Sequence, residues 1–278
     1  MKFSGLKVLF LVSLLFTFLA AEENGVNSGG DIAIKSVNGV NYVVKTGKIN
    51  LIDTAGKQRM LSQRVAKDYL YMGNKVAVSK AQKQLKASLS EFSAAHKRLY
   101  TSINDPEIRN LLTFVQMSYE EFKSLINQPY NLDNAQLALD LSETILEGSQ
   151  FVVDSLKSSV KHKESQIVAK SGKQRMLAQR IAKYYIAYQS GIKDKNTVDQ
   201  MKEAVRLFAK NHNDLMKNPS NSATINQKLN EIDKLWKIVY KFYLKIEKGG
   251  LPFIVFTTTD NITKKMDEIT KLYVVLYQ

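Results

Sequence analysis

The sequence predicts an all-α chain of two tandem up-down four-helix bundles, preceded by a short β-hairpin or extended leader. Three observations carry that expectation. The segment Gly56-Lys57-Gln58-Arg59-Met60-Leu61-Ser62-Gln63-Arg64-Val65-Ala66-Lys67 returns at 172–183 with ten of twelve positions identical, 116 residues further on. From Ile49 onward, apolar residues recur at helical rather than alternating spacing. Thirteen glycines and four prolines are few for 278 residues, and all four prolines stand at breaks between periodic stretches.

Taken in order, the chain opens with Lys2 and Lys7 before the apolar run Val8–Leu19, then Ala20-Ala21 and Glu22-Glu23. A basic start, a twelve-residue apolar run and a small-residue zone have the layout of a cleavable signal peptide over 1–21. The run is short of the roughly 20 residues that span a bilayer. Export to a bacterial periplasm is the expectation, which makes nucleic acid an unexpected partner despite a formal charge of +14. Residues 22–48 form the leader, where Asn38-Gly39 between β-branched runs signals a hairpin.

Helices are expected at about 49–73, 77–103, 106–127 and 132–162, and again at about 165–190, 194–217, 221–247 and 258–277. Asp105 and Ser220 are the expected N-caps. Bundle one is thus read as 49–162 and bundle two as 163–278. Beyond the duplicated segment, Phe92, His96 and Leu99 match Phe208, His212 and Leu215 at the same offset. At that offset Leu146, Val153, Leu156 and Val160 also match Ile262, Ile269, Leu272 and Leu276. Short connections make neighbouring helices antiparallel, and four such helices close into a bundle. The junction Lys161-His162-Lys163-Glu164-Ser165 carries no turn signal, so the favoured joint is one continuous helix that stacks the bundles end to end. A hairpin there would set them side by side.

On a helical wheel Arg59 shares its sector with Ala55, Gly56, Ser62 and Ala66, and Arg175 with Ser171, Gly172, Ala178 and Ala182. Small residues let a second helix approach closely. Each guanidinium is therefore expected near a helix–helix contact, where a charge without a partner is costly. No Asp or Glu lies three or four residues away in either copy. Either the arginine runs its stem over the seam and reaches water, or its counter-charge comes from elsewhere in the fold or from a bound oxyanion, whose paired oxygens suit the guanidinium fork. Gln63 and Gln179, one turn on, are candidate amide donors. Lys57, Arg64 and Lys67, with their counterparts, fall on other faces and are read as a solvated basic surface.

Other chemistry is thinly represented. The chain has no cysteine, which excludes disulfides, thiolate metal sites and a cysteine nucleophile. His96 and His212 lack metal-ligand spacing and are read as packing residues, with no metal or cofactor expected. Glu120-Glu121 reads as a solvated helix face. Trp236, Tyr240 and Tyr243 read as core aromatics. No nucleophile arrangement, phosphate loop or metalloprotease motif is present, so an enzyme is not expected.

The run Ala55-Gly-Lys-Gln-Arg-Met-Leu-Ser-Gln-Arg64 closely resembles the signature of PilJ-type domains, the N-terminal domains of type IV pili chemotaxis transducers. These in turn resemble the periplasmic nitrate-sensing input domain of NarX-type histidine kinases, a four-helix bundle whose first helix carries a box of the form Gly-x-x-Arg-Met. The resemblance covers both repeats, about 49–278. It implies that Arg59 and Arg175 are ligand-binding arginines at a dimer interface, with nitrate or nitrite as the first ligand to consider. Receptors of this kind add a second membrane helix and a cytoplasmic output domain, which 49–278 does not contain. The expected role is therefore a periplasmic binding module acting with a separate membrane-bound receptor or kinase, as a homodimer or with one repeat paired on the other. The alternative is a helical adaptor of a pilus or chemoreceptor assembly that binds no ligand.

Overall fold

Two long helices, α1 (Lys48–Gly73) and α5 (His162–Gln189), form the middle of the molecule. The computed structural model describes residues 32–37, 40–45, 47–160 and 162–277, within a unit that spans Asp31–Gln278. The signal peptide expected over 1–21 lies outside the described residues, as do Asn38 and Gly39. The flanking strands β1 (Ile32–Val37) and β2 (Val40–Lys45) pair antiparallel, with Ile32 opposite Lys45 and Val37 opposite Val40.

Around α1 stand α2 (Val78–Ser102), α3 (Pro106–Leu125) and α4 (Leu132–Ser158); around α5 stand α6 (Lys195–Met216), α7 (Ala223–Tyr243) and α8 (Pro252–Tyr277). Within each repeat, helices one and two, two and three, three and four, and four and one pack together, which closes the expected four-helix bundle. The outer helices bury a single stripe: Leu85, Phe92 and Leu99 on α2, Leu229, Trp236 and Tyr243 on α7. Phe92 stacks on Tyr119 with centroids 4.1 Å apart, and in repeat two Phe208 meets Trp236 at 4.2 Å. Helices α1 and α5 differ in being buried nearly all round, polar residues included.

Several starts and stops follow from local chemistry. Asp105 caps α3 through the amides of Glu107 and Ile108, with Pro106 in the first turn, where a missing N–H costs nothing. The cap of α7 is Ser222, accepting from the Ile225 amide, not Ser220. Helix α8 begins at Pro252, six residues before the expected start. Burial of Val255 and Phe256 overrides the extended preference of that β-branched and aromatic run.

The joint between the repeats is a hairpin, not the continuous helix expected. Helix α4 stops at Ser158 and α5 starts at His162. The hydroxyls of Ser158 and Ser159 donate to the carbonyls of Ser155 and Leu156 at 2.7 and 2.8 Å, so serines rather than glycine or proline satisfy the helix end. The bundles consequently lie side by side. α1 packs against α5 more extensively than against any other helix. The two run parallel and in register: the Gly56 and Gly172 turns face each other, and Asn74 Nδ2 donates to Ser190 Oγ at 2.5 Å, again a 116-residue pair.

Burial also corrects the alignment of the last two helices. Read 117 residues apart, Ser142 matches Thr259, Ile145 matches Ile262, Val152 matches Ile269 and Leu156 matches Tyr273, each pair buried. The 116-residue match would instead align Val160 with Leu276, which is exposed. Ile108 with Ile225 and Leu112 with Leu229 keep the longer spacing, so the extra residue lies in the α6–α7 loop.

Candidate functional site

Arg59 and Arg175 are fully buried side chains at the α1–α5 contact. A Cβ on Gly56 would stand 3.3 Å from Arg59 Nη2 and 3.5 Å from Arg175 Nη2; one on Gly172 would stand 3.1 Å from Arg175 Nη2 and 3.6 Å from Arg59 Nη2. Both guanidiniums therefore occupy the space the two glycines leave open. Ala55, Ser62, Ala66, Ser171, Ala178 and Ala182 are buried too. In Gly-x-x-Arg the glycine makes room for the arginine of its own turn and of the other repeat.

The two arginines have equivalent positions and unlike partners. Arg175 Nη1 donates to Asp267 Oδ1 and Nη2 to Asp53 Oδ1, both at 2.5 Å. Arg59 Nη1 donates to Gln150 Oε1 at 2.6 Å and Nη2 to the Ala169 carbonyl at 3.3 Å. Gln150 stands where repeat two has Asp267, and Ala169 where repeat one has Asp53. Both carboxylates that neutralise one arginine are thus replaced by neutral groups at the other. The acids that favour the Arg59 charge are Asp154 first and Asp53 next, and Asp154 is an exposed residue that accepts from Gln150 Nε2 at 2.8 Å and from Lys157 at 2.7 Å.

Electrostatics follow the partners. Burial first, and then the charge of Arg175, lower the Arg59 pKa to about 10. Burial also opposes the charge of Arg175, but Asp53 and Asp267 outweigh it and hold its pKa above the usual arginine value. Burial would raise Asp267, yet Arg175 holds it down at about 2. Arg59 stays protonated at neutral pH, and at about 1.4 kcal/mol per unit its surroundings disfavour that charge by a few kcal/mol.

Beside Arg59 lies a cavity of about 220 Å³ whose wall includes Gln150, Ala169, Lys157, Lys170 and Lys173. Lys157 and Lys170 each hold an acid at the rim, Asp154 and Asp214. Lys173 is half-buried, and desolvation, then the charge of Arg59, lower its pKa. A hollow lined by four cationic groups and no carboxylate suits an anion.

Other residues singled out in the sequence are placed differently. Gln63 Nε2 donates to the Ser142 carbonyl at 3.0 Å, and Gln179 Nε2 to Thr263 Oγ1 at 2.7 Å and Asp260 Oδ1 at 3.0 Å. Both amides tie the central helices to α4 and α8, and neither lines the cavity beside Arg59. Lys67 and Lys183 are not on a solvated surface: both are fully buried. Lys67 reaches Asp260 of repeat two at 2.8 Å, and Lys183 pairs with Glu143 of repeat one, so two matched ion pairs cross between the repeats. Their partners were hidden because each lies in the other repeat.

Lys67 also lies 3.2 Å from its neighbour Asp68, but its hydrogens go to Gln84 and Asp260. Burial raises Asp68 to about 7. His96 meets Gln58 Nε2 at 3.3 Å, and His212 lies against Phe208, pushed by burial down to about 4. Among the described residues no group of three or more His, Asp or Glu could hold a metal. No described helix is long and apolar enough to cross a membrane.

A parallel, in-register pair of bundle helices with a buried arginine on each forms the centre of a tandem helical module. The family model of the type IV pili methyl-accepting chemotaxis transducer N-terminal domain matches residues 47–143 and 157–246. The chain belongs to this PilJ family and carries two copies of its domain. The family places it in a membrane chemoreceptor signalling context, where such N-terminal domains are typically periplasmic. No curated protein and no solved structure shows significant similarity to the chain.

Proposed function

We propose that the chain is an exported sensor module that takes a small oxyanion at Arg59 and presents its liganded state to a separate membrane-bound receptor or kinase. One observation carries the reading. A fully buried guanidinium lacks both carboxylates that its counterpart uses, and it opens on a cavity walled by lysines. A bound anion would supply the missing charge through charge-assisted hydrogen bonds. Nitrate or nitrite is the first candidate. The α1–α5 contact brings both arginines together within one chain, which supports a binding unit of one chain.

Titration calorimetry of the full chain against nitrate, nitrite, sulfate and phosphate tests this. One anion should bind per chain, and Arg59→Gln should abolish the binding. Absence of binding by all four, and by acetate as well, would overturn the reading. At a hundredfold excess over the dissociation constant the anion should add about 2.7 kcal/mol of stability.

Closure of Arg175 by Asp53 and Asp267 favours a second reading for repeat two. It would be a structural half that docks on a cell-envelope partner and binds no ligand of its own. Pull-down from periplasmic extract with and without the bound anion separates an adaptor, whose partner ignores the anion, from a sensor.

A further inference from the structure

Two grooves related by the repeat flank the central pair, and their walls have diverged. On the repeat-two side one cavity of about 640 Å³ runs along α8, α1 and α2. On the repeat-one side a cavity of about 410 Å³ along α4, α5 and α6 shares Gln150 and Lys173 with the 220 Å³ hollow beside Arg59. Common to both sides are a methionine, a lysine and an arginine: Met60, Lys57 and Arg64 in one, Met176, Lys173 and Arg180 in the other. The rest differs: Glu147 stands where the repeat-two groove has Lys264, while two other positions turn apolar. Where the repeat-two groove has Thr263 and Glu91, the repeat-one groove has Leu146 and Leu207. Phe151 also lines the repeat-one groove, 52% exposed, at the position where repeat two has Glu268 ion-paired with Lys228. An apolar trough thus leads away from the cationic hollow on one side only. Neither of its acids lines the hollow beside Arg59: Glu143 is held by Lys183 and Arg180, and Glu147 is exposed.

We infer that the repeat-one groove binds an organic carboxylate, with the carboxylate at Arg59 and Lys173 and an apolar body along Phe151, Leu146 and Leu207. The inference rests on the anion reading of Arg59 and narrows its ligand class. The arginine supplies paired donors for the carboxylate. The trough supplies apolar surface that a bare inorganic anion would leave unused. The matching groove of repeat two is closed to such a ligand because Asp53 and Asp267 already occupy its arginine.

The test is calorimetry of the full chain with acetate, butanoate and hexanoate, alongside nitrate. Affinity should rise along the carboxylate series by about fourfold for each methylene that enters the trough. Phe151→Ala and Leu207→Ala should flatten the series and leave acetate binding unchanged, and Arg59→Gln should abolish all of it. Phe151 is exposed, so its truncation should leave the fold intact. A series that is flat in the unaltered chain, or whose slope survives both truncations, would overturn the inference. If the series is flat while nitrate or acetate still binds through Arg59, the anion reading stands and only the organic ligand falls. If no anion binds, both fall.

Discussion

At the scale of single residues, equivalent arginines should respond unequally to the same substitution. Arg175→Met would leave Asp53 and Asp267 facing each other across a buried gap. Breaking a buried pair from one side costs about 3–5 kcal/mol, and the partial exposure of both acids trims this to about 2–4. Arg59→Met removes a charge whose surroundings already disfavour it and strands only Gln150 and a carbonyl. It should change stability by less than about 1 kcal/mol in anion-free buffer. Denaturant titration of both variants gives the comparison, and equal losses would refute the asymmetry. Asp68 offers a pH test. Its pKa is raised to about 7 in the fold and is about 3.9 in the unfolded chain, so the native state binds the extra proton. Its contribution is therefore fully present below about pH 4 and is lost as pH rises toward 7. Asp68→Asn should remove that loss: more stable than the parent at pH 8, with the gap closing toward pH 4. Half of this asymmetry was legible in the sequence. Asp53 against Ala169 sits at the offset of the repeat. Asp267 against Gln150 does not, because one loop residue shifts the register, and only burial reveals the shift.

Among the helices, the glycine of each signature is set by the arginine three residues on. An added Cβ at Gly172 would stand 3.1 Å from Arg175 Nη2, and that guanidinium is pinned by two acids. An added Cβ at Gly56 would stand 3.3 Å from Arg59 Nη2, which is more loosely held by Gln150 and a carbonyl. Alanine gains about 1 kcal/mol over glycine inside a helix. Overpacking against a group that cannot give costs about 1–3 kcal/mol. Gly56→Ala should come out near neutral or slightly stabilising, while Gly172→Ala should lower the denaturation midpoint. The same midpoint shift in both would mean that the guanidiniums are equally free. Helix periodicity and the small-residue strip made the bundles and the arginine setting readable from sequence. The turn at Ser158-Ser159 was not, since serines that bond back to their own helix also occur inside helices. What decides the turn is distant: within one chain, the small residues of α1 and α5 bury against each other when the chain folds back.

For the whole molecule, the side-by-side joint makes the repeats thermodynamic partners. Unfolding one bundle alone would expose the α1–α5 contact and strand Lys67 or Lys183, whose acids Asp260 and Glu143 belong to the other repeat. Arg175 would likewise lose Asp53. The exposed α1–α5 surface is the main penalty and these ion pairs are lost with it, so the half-folded state is disfavoured and the two bundles should unfold together. The sequence supplies its own probe, because Trp236 in repeat two is the only tryptophan. Its emission follows repeat two, whereas far-ultraviolet circular dichroism follows the helices of both. In urea the two signals should trace one transition with the same midpoint and slope. A dichroism curve that begins before or continues after the fluorescence change would show that the repeats are independent. Lys183→Met with Lys67→Met provides the control. It removes the cationic halves of both cross-repeat pairs, and separation of the curves in that variant alone would assign the coupling to those pairs.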